Sequence, residues 1–273
     1  MSEVVEVTRG DAALLISIPH TGTEIPSEIE RDLVSHWLAR KDTDWGIERL
    51  YDFAGEFGAT IVRATHSRTV IDVNRDPSGA SLYPGQQTTG LCPTETFDGE
   101  PLYKAGREPG KLEIARRREL YFQPYHSALT REIGRLKEKH RRIVLYECHS
   151  IRSVVPRLFE GELPHMNIGT NSGQSCDSGF AHVVQAVCDA SGFSWASNAR
   201  FKGGWITRGH GRPALGVHAL QMELACRSYL EEPIPTVGER NWPPAYDEAR
   251  AAKMQSTLRT VFKTCLSFAR RAS

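Results

Sequence analysis

The chain has 273 residues, and its charges almost cancel, with 34 lysines and arginines against 33 aspartates and glutamates. This balance argues against a nucleic-acid partner, which needs a strongly basic surface, so any selection of charge has to be local, inside a pocket. The sequence also lacks a membrane-spanning apolar run, a signal-peptide pattern and any CxxC pair among its 6 cysteines, so we expect a cytoplasmic protein with reduced thiols and no membrane partner.

The first part of the chain predicts three strands and two helices. A buried strand covers residues 13–18 and is followed by Pro-His-Thr-Gly. Two short amphipathic patterns come next, at 27–40 and at 45–57, and their apolar stripes predict helices. Residues 59–63 and 69–73 have the composition of strands. The order of these elements is typical of an α/β protein.

A long stretch between residues 77 and 110 is rich in glycine, proline and threonine. A loop of this length in a compact domain is usually functional, and we expect it to form a wall over a site. Residues 113–139 have a long amphipathic helical pattern that could break near Pro124. The remaining predicted elements are a strand at 141–150, a loop at 167–178, a helix at 179–191, strands at 193–196 and 216–224, and a helix at 245–271.

This alternation of strands and helices predicts an α/β fold in which helices cover both faces of a mostly parallel sheet. Because there is no internal repeat and no low-complexity linker, we expect residues 1–273 to form a single domain. The sequence carries no signal for an oligomeric state. It also contains no P-loop, GxGxxG or GxSxG motif, which disfavours nucleotide-dependent and serine-hydrolase chemistry.

Two histidines near the ends of buried strands predict a metal site. His149 follows Glu147 by two residues in the strand at 141–150, so the two side chains lie on one face. His20 comes directly after the strand at 13–18. Open α/β sheets hold their ligands at the carboxyl ends of the strands. For either histidine alone a hydrogen-bonded strand end is the simpler interpretation, but the pair favours a divalent metal such as Zn²⁺.

A catalytic zinc site usually adds a carboxylate to its histidines and keeps one position open for water. Three acids compete for this place. Asp44 ranks first, although aspartate is also a common helix N-cap. Glu24 ranks second, with a solvated loop residue as its alternative. Glu147 could instead accept a hydrogen bond from a ligand histidine and orient it.

Two arginine-containing segments could bind an anionic ligand. Arg75 ends a predicted strand and is suited to clamp a carboxylate with two parallel hydrogen bonds, with a salt bridge to a neighbouring aspartate as an equal alternative. The segment 200–212 carries several cations among glycines. Lys202 and Arg208 are its candidate substrate-binding residues, and a solvated surface turn is the alternative interpretation.

Glu223 is an acid inside an apolar run near the end of the chain. Burial of a carboxylate is costly and raises its pKa toward the range useful for proton transfer. We therefore interpret Glu223 as a general base beside a metal-bound water. The alternative is a carboxylate at a strand edge that faces solvent.

Six separated motifs, in a characteristic order, carry a resemblance to a known family. They are Ser-Ile-Pro-His-Thr-Gly at 17–22, Asp-Thr-Asp-Trp at 42–45, Val-Ile-Asp-Val-Asn-Arg at 70–75, Glu-Cys-His-Ser-Ile at 147–151, Phe-Lys-Gly-Gly with Ile-Thr-Arg at 201–208, and Leu-Gln-Met-Glu at 220–223. In these motifs the chain resembles N-formylglutamate amidohydrolases, also called N-formylglutamate deformylases. The likeness extends from the first strand to Tyr229.

The resemblance implies hydrolysis of N-formyl-L-glutamate to L-glutamate and formate, the last step of one route of histidine degradation. It implies a three-layer α/β/α fold with a mixed, mostly parallel sheet, phosphorylase/hydrolase-like and similar to zinc carboxypeptidases and aspartoacylases. By the same resemblance His20 and His149 bind zinc, Asn74 and Arg75 bind the substrate carboxylate, and Glu223 is the base.

One departure from those relatives leaves the acidic ligand open. Their His-x-x-Glu pattern is absent, because Glu24 lies four residues after His20. A second departure is Glu147, where an aspartate is more usual, and we expect the longer side chain to be tolerated.

We therefore predict a metal-dependent amidohydrolase acting on a small acidic substrate. His20, Asp44 and His149 would hold Zn²⁺ or a similar divalent ion, Glu223 would move the proton, and Arg75 would stabilise the oxyanion or grip a carboxylate. One rival is a deacylase of N-acetylaspartate or N-formylaspartate. A rival of another class is a non-catalytic binder of acidic metabolites, which the buried acid at Glu223 disfavours.

Overall fold

A mixed β-sheet forms the centre of the computed structural model, which describes residues 3–233 and 236–270. Within those residues seven strands pair in the order β1-β3-β2-β4-β7-β5-β6. The strands are β1 (Val5–Thr8), β2 (Leu14–Ile18), β3 (Thr60–Ala64), β4 (Ile143–Ile151), β5 (Met166–Gly169), β6 (Trp195–Ser197) and β7 (Val217–Ala225).

The sheet is mostly parallel, since four of its six neighbouring pairs run in the same direction and the pairs β1–β3 and β5–β7 are antiparallel. Its central strands β2, β4 and β7 are buried along their whole length. Strands that are covered on both faces have continuous apolar runs rather than alternating ones. This explains why these three strands were recognisable in the sequence.

Helices cover both faces of the sheet. The α-helices of the described residues are α1 (Ser27–Glu30), α2 (Ile47–Leu50), α3 (Lys111–Arg117), α4 (Gln123–Lys137), α5 (Ser178–Asp189), α6 (Trp205–His210) and α7 (Glu248–Arg270). On one face Leu50, Phe180 and Phe262 join the apolar cluster of α2, α5 and α7. On the other face Tyr125 and Leu129 of α4 belong to a second cluster. The predicted three-layer α/β/α architecture with a mixed, mostly parallel sheet is therefore confirmed.

The long predicted helix at 113–139 is interrupted, as expected, near Pro124. Helix α3 passes into a π-helical turn, Arg118–Phe122, and Pro124 lies in the first turn of α4. Proline fits there because the first amide groups of a helix have no intrahelical acceptor. None of the described helices is long and apolar enough to cross a membrane.

The predicted strand at 69–73 is wrong. This buried segment runs through turns, with the Val70 amide donating to the Ser67 carbonyl (2.9 Å) and the Arg75 amide to the Asp72 carbonyl (3.2 Å). Its apolar side chains pack into the core without strand pairing. Burial alone therefore produced the strand-like composition.

Three further boundaries differ from prediction. The predicted helix at 27–40 is reduced to α1 and a 3₁₀ turn, because the Val34 amide donates to the Leu102 carbonyl (3.0 Å) of a crossing loop. The predicted loop at 167–178 begins inside β5, which pairs with β7. Helix α6 lies inside the glycine-rich cationic segment. Each of these features depends on contacts distant in sequence.

Candidate active site

The polar groups of the site come from the carboxyl ends of three neighbouring strands. Glu147 and His149 lie on β4, and His20 follows β2 by two residues. In the parallel pair of β4 and β7, His149 is opposite Glu223 and Glu147 is opposite Gln221. Opposite residues in a sheet point to the same face. The register therefore places His149 and Glu223 side by side at the sheet edge where α/β enzymes bind ligands.

His20, Asp44 and His149 form a compact buried group whose ligand atoms all lie within 4.8 Å of one another. The Nδ1 atoms of the two histidines are 3.1 Å apart. Oδ2 of Asp44 lies 3.1 Å from Nδ1 of His149 and 3.8 Å from Nδ1 of His20. Ligand atoms of a tetrahedral zinc ion lie about 3.3–3.6 Å from one another. The observed distances of 3.1, 3.1 and 3.8 Å lie on either side of this range, so the three donors are close enough together to hold one ion.

The other nitrogen of each imidazole is bound to a buried carboxylate. Nε2 of His20 lies 2.7 Å from Oδ1 of Asp72, and Nε2 of His149 lies 2.6 Å from Oε1 of Glu147. An Nε2–H that donates to a carboxylate leaves the lone pair on Nδ1, which faces the other ligand atoms. Metal-binding histidines are typically held in this way. Glu147 thus has the orienting position that the sequence offered as one of its alternatives.

Asp44 is fixed by its backbone and by β4, and its side chain does not cap a helix. Its amide donates to the His20 carbonyl (3.0 Å), and its Oδ2 accepts the Ser150 amide (3.1 Å). Among the described residues its buried Oδ1 atom has no hydrogen-bond partner, and the Arg68 guanidinium lies 3.8 Å from it. A buried carboxylate oxygen without a hydrogen bond is costly, and a directly bound cation or water molecule would satisfy it. The residues present therefore fit a divalent metal ion.

The electrostatics of the group also suit a metal. Burial, together with the neighbouring Arg68 guanidinium, lowers the pKa of His20 to about 4, so this imidazole is neutral and able to bind a metal at neutral pH. Burial opposes the charging of His149, but the carboxylates of Glu147 and Asp44 outweigh it and raise its pKa to about 10. The carboxylates around the histidines therefore favour a positive charge between them, which a metal ion can supply in place of a proton.

Glu223 faces the same cavity as the two histidines. Its side chain is buried, and its Oε2 atom accepts a hydrogen bond from Nε2 of Gln221 (3.1 Å). Burial raises its pKa to about 7. The alternative of a solvent-facing carboxylate is therefore wrong, and the group has the environment of a proton acceptor.

Asn74 and Arg75 also line the cavity, and both have partners within the protein. Nδ2 of Asn74 contacts Glu147 and lies 3.1 Å from Nε2 of His149. The Arg75 guanidinium donates to the carbonyl and hydroxyl of Thr89 (3.0 Å each) and lies 3.5 Å from the Asp72 carboxylate. Arg75 therefore forms the salt bridge to a neighbouring aspartate that was the alternative interpretation of the sequence. It also lines the cavity.

Three predicted candidates lie away from the metal group. Glu24 is half-exposed and lies 4.0 Å from Nε2 of His66. Lys202 and Arg208 do not line the cavity, and Arg208 donates to the Gly203 carbonyl (2.9 Å). Their segment, 200–212, nevertheless borders the cavity, because Arg200, Phe201 and Gly204 are part of its wall.

Sequence reasoning missed three residues that the structure brings to the site. Asp72 orients His20, Arg68 donates to Asp72 (2.6 Å), and Arg200 lines the cavity. The cluster of charges between residues 68 and 76 was a signal for the first two. The expected wall is present, since Tyr83 and Thr89 of the long loop line the cavity.

Matched substitutions can determine whether Asp44 or Glu24 is the acidic metal ligand. We expect Asp44→Asn to weaken Zn²⁺ binding by roughly 10-fold or more, because the amide supplies no negative charge to the metal. Glu24→Gln should bind zinc like the wild type. Competition with a chelating dye would measure both affinities, and equal weakening by the two substitutions would return Glu24 to the ligand set.

The mixed sheet with a polar cavity at the carboxyl ends of its strands defines an α/β enzyme of the kind that binds small ligands at this edge. A family model described as N-formylglutamate amidohydrolase matches residues 12–230. The chain belongs to the N-formylglutamate amidohydrolase family.

Two relatives agree with this assignment, and a solved structure has a similar fold. The chain is 43% identical over 271 residues to an N-formylglutamate deformylase of Pseudomonas aeruginosa, covering 99% of this chain and 98% of the relative. It is 46% identical over 236 residues to an N-formylglutamate deformylase of Pseudomonas putida, covering 86% of this chain and 88% of the relative. The fold is similar to a crystal structure of N-formylglutamate amidohydrolase from Ralstonia eutropha JMP134, with a TM-score of 0.78, 22% identity and 98% of both chains covered.

Proposed function

We propose that this protein hydrolyses N-formyl-L-glutamate to L-glutamate and formate, with Zn²⁺ or a similar divalent ion held by His20, Asp44 and His149. The family membership and the named deformylases at 43% and 46% identity support the reaction. The observation that carries the chemistry is the buried group of two histidines and one aspartate, with Glu223 beside it in the neighbouring strand.

The bound metal would supply Lewis acidity that lowers the pKa of a water molecule toward neutrality. Glu223 would accept a proton from the attacking water as its oxygen adds to the formyl carbon. The bond between the formyl carbon and nitrogen then breaks, and Glu223 returns the proton to the leaving amine. Asp72 and Glu147 hold the two imidazoles in the required orientation throughout.

The charge of the cavity matches the proposed substrate, which carries two carboxylates. Arg68, Arg75 and Arg200 line the cavity in a protein whose formal net charge is only +1. Arg75 and Asn74 are next to the metal group and are proposed to bind a substrate carboxylate, with stabilisation of the oxyanion as the alternative role of Arg75. Lys202 and Arg208 would favour substrate binding through the positive electrostatic potential of their segment rather than by direct contact with the substrate.

A panel of substrates tests the proposed function against its rivals. Formate or acetate release would be measured from N-formyl-L-glutamate, N-formyl-L-aspartate and N-acetyl-L-aspartate. We expect the highest kcat/KM for N-formyl-L-glutamate. A preference for either aspartate derivative would identify a different deacylase, and binding without turnover of any of them would identify a non-catalytic binder.

We further propose that residues 1–273 act as one catalytic domain in the cytoplasm. One central sheet contains all seven strands from β1 to β7, and α7 packs on the same face of it as α2. Both observations support a single continuous core. The buried free cysteines suit a reducing compartment.

A further inference from the structure

Arg200 is a cavity-lining cation that lacks a carboxylate partner within the described part of the chain. The other two arginines of the cavity wall differ from it, because Arg68 and Arg75 lie 2.6 Å and 3.5 Å from the carboxylate of Asp72. Burial lowers the pKa of Arg200, since the charged guanidinium has lost part of its hydration, and the Glu223 carboxylate of the same cavity offsets this only in part. A partly desolvated cation without a salt-bridge partner is costly, so its position favours the binding of an anion from outside the protein.

The guanidinium of Arg200 is held in place by neutral groups. Its Nε atom donates to the Leu158 carbonyl (2.8 Å), and its Nη2 atom donates to the Gln87 carbonyl (2.9 Å). The rings of Tyr83 and Phe201 lie 5.8 Å and 5.3 Å from its central carbon. These contacts fix the planar fork without neutralising its charge. Among the described residues, Nη1 has no hydrogen-bond acceptor, so it is available to a ligand.

Arg75 is connected to the metal group by contacts that Arg200 does not make. Arg75 pairs with Asp72, which binds His20, and its neighbour Asn74 contacts His149. The hydrogen bonds of Arg200 go instead to the carbonyls of Leu158 and Gln87. In N-formyl-L-glutamate the α-carboxylate is attached to the carbon that bears the reacting amide, whereas the side-chain carboxylate lies three carbons away from it. The two carboxylates of the substrate therefore match two arginines, of which Arg75 is connected to the metal group through Asp72 and Arg200 is not.

We infer that Arg200 binds the side-chain carboxylate of the substrate and makes the enzyme selective for acidic over neutral N-formyl amino acids. The inference rests on the proposed function and assigns the second anionic group of that substrate. A guanidinium suits this task because it is permanently charged and its Nη1 group can donate a charge-assisted hydrogen bond to a carboxylate. Arg75 is left to the α-carboxylate beside the metal group.

The experiment compares two substrates of equal shape, N-formyl-L-glutamate and N-formyl-L-glutamine, in wild type, Arg200→Gln and Arg200→Lys. We expect Arg200→Gln to lower kcat/KM for the glutamate substrate by about 10²-fold or more, as for one lost partner of a desolvated charge pair. Cleavage of the glutamine substrate should fall much less, because its neutral amide forms no ion pair with Arg200, and its turnover also reports that the variant is folded. Arg200→Lys should retain part of the preference, because an ammonium keeps the charge but not the fork.

Arg212→Gln is the matched control, since Arg212 belongs to the same cationic segment and donates to the carbonyls of Arg208 and Gly211 without lining the cavity. It should keep the wild-type preference. A preference for the glutamate substrate that survives Arg200→Gln would overturn the inference while the proposed function stands. A wild-type protein that releases formate from neither substrate would overturn the proposed function, and the inference with it.

Discussion

Replacing Glu223 with glutamine should lower kcat for N-formyl-L-glutamate by about 10²-fold or more, the usual effect of a lost general base. The amide has the size of the carboxylate and keeps a hydrogen-bond acceptor for water, but it does not take up a proton at neutral pH. Because Glu223 is not part of the His20, Asp44 and His149 group, the metal content and the substrate affinity should stay near those of the wild type.

The measurement is kcat beside calorimetric substrate affinity and elemental analysis of the same preparation. Glu231→Gln is a suitable control, because Glu231 follows β7 and is exposed. A Glu223→Gln enzyme whose kcat stays within a few-fold of wild type would show that the proton acceptor is elsewhere. Glu147 would then be the next acid to test.

Replacing His149 with alanine should remove the metal and the activity together. The substitution deletes one of the three proposed ligands and also leaves Oε1 of Glu147 without its imidazole partner. We expect kcat/KM to fall by at least about 10³-fold, because the remaining residues of such a site do not act without the ion.

Far-ultraviolet circular dichroism should show that the His149→Ala protein is folded, since most of the core lies away from the site. His36→Ala is a control outside the site, where His36 is exposed and contacts Glu30. Full metal occupancy in purified His149→Ala would contradict the assignment of His149 as a ligand.

The parts of the site that follow buried strands could be predicted from the sequence. His149 and Glu223 lie in continuous apolar runs. Burial of a polar side chain in such a run is energetically unfavourable, which indicates a functional role. What the sequence lacked was the register between β4 and β7, which places these two side chains opposite each other. This pairing depends on residues more than 70 positions apart, as seen for His149 and Glu223.

The parts that depend on loops were less predictable. Asp72 was assigned to a strand, whereas a turn directs its carboxylate to His20. In the cationic segment the sequence favoured Lys202 and Arg208, but the arginine that lines the cavity is Arg200. The direction of a loop side chain is set by tertiary contacts, here the carbonyls of Leu158 and Gln87. No local pattern of residues encodes those contacts.

Removal and return of the metal tests the central claim most directly. The protein would be treated with a chelator, freed of it, and assayed for formate release from N-formyl-L-glutamate while Zn²⁺ is added in small steps. We expect the metal-free protein to be inactive and activity to return in proportion to the metal bound, reaching its maximum at about one ion per chain. Full activity in protein shown by elemental analysis to be free of metal would contradict the proposed role of His20, Asp44 and His149.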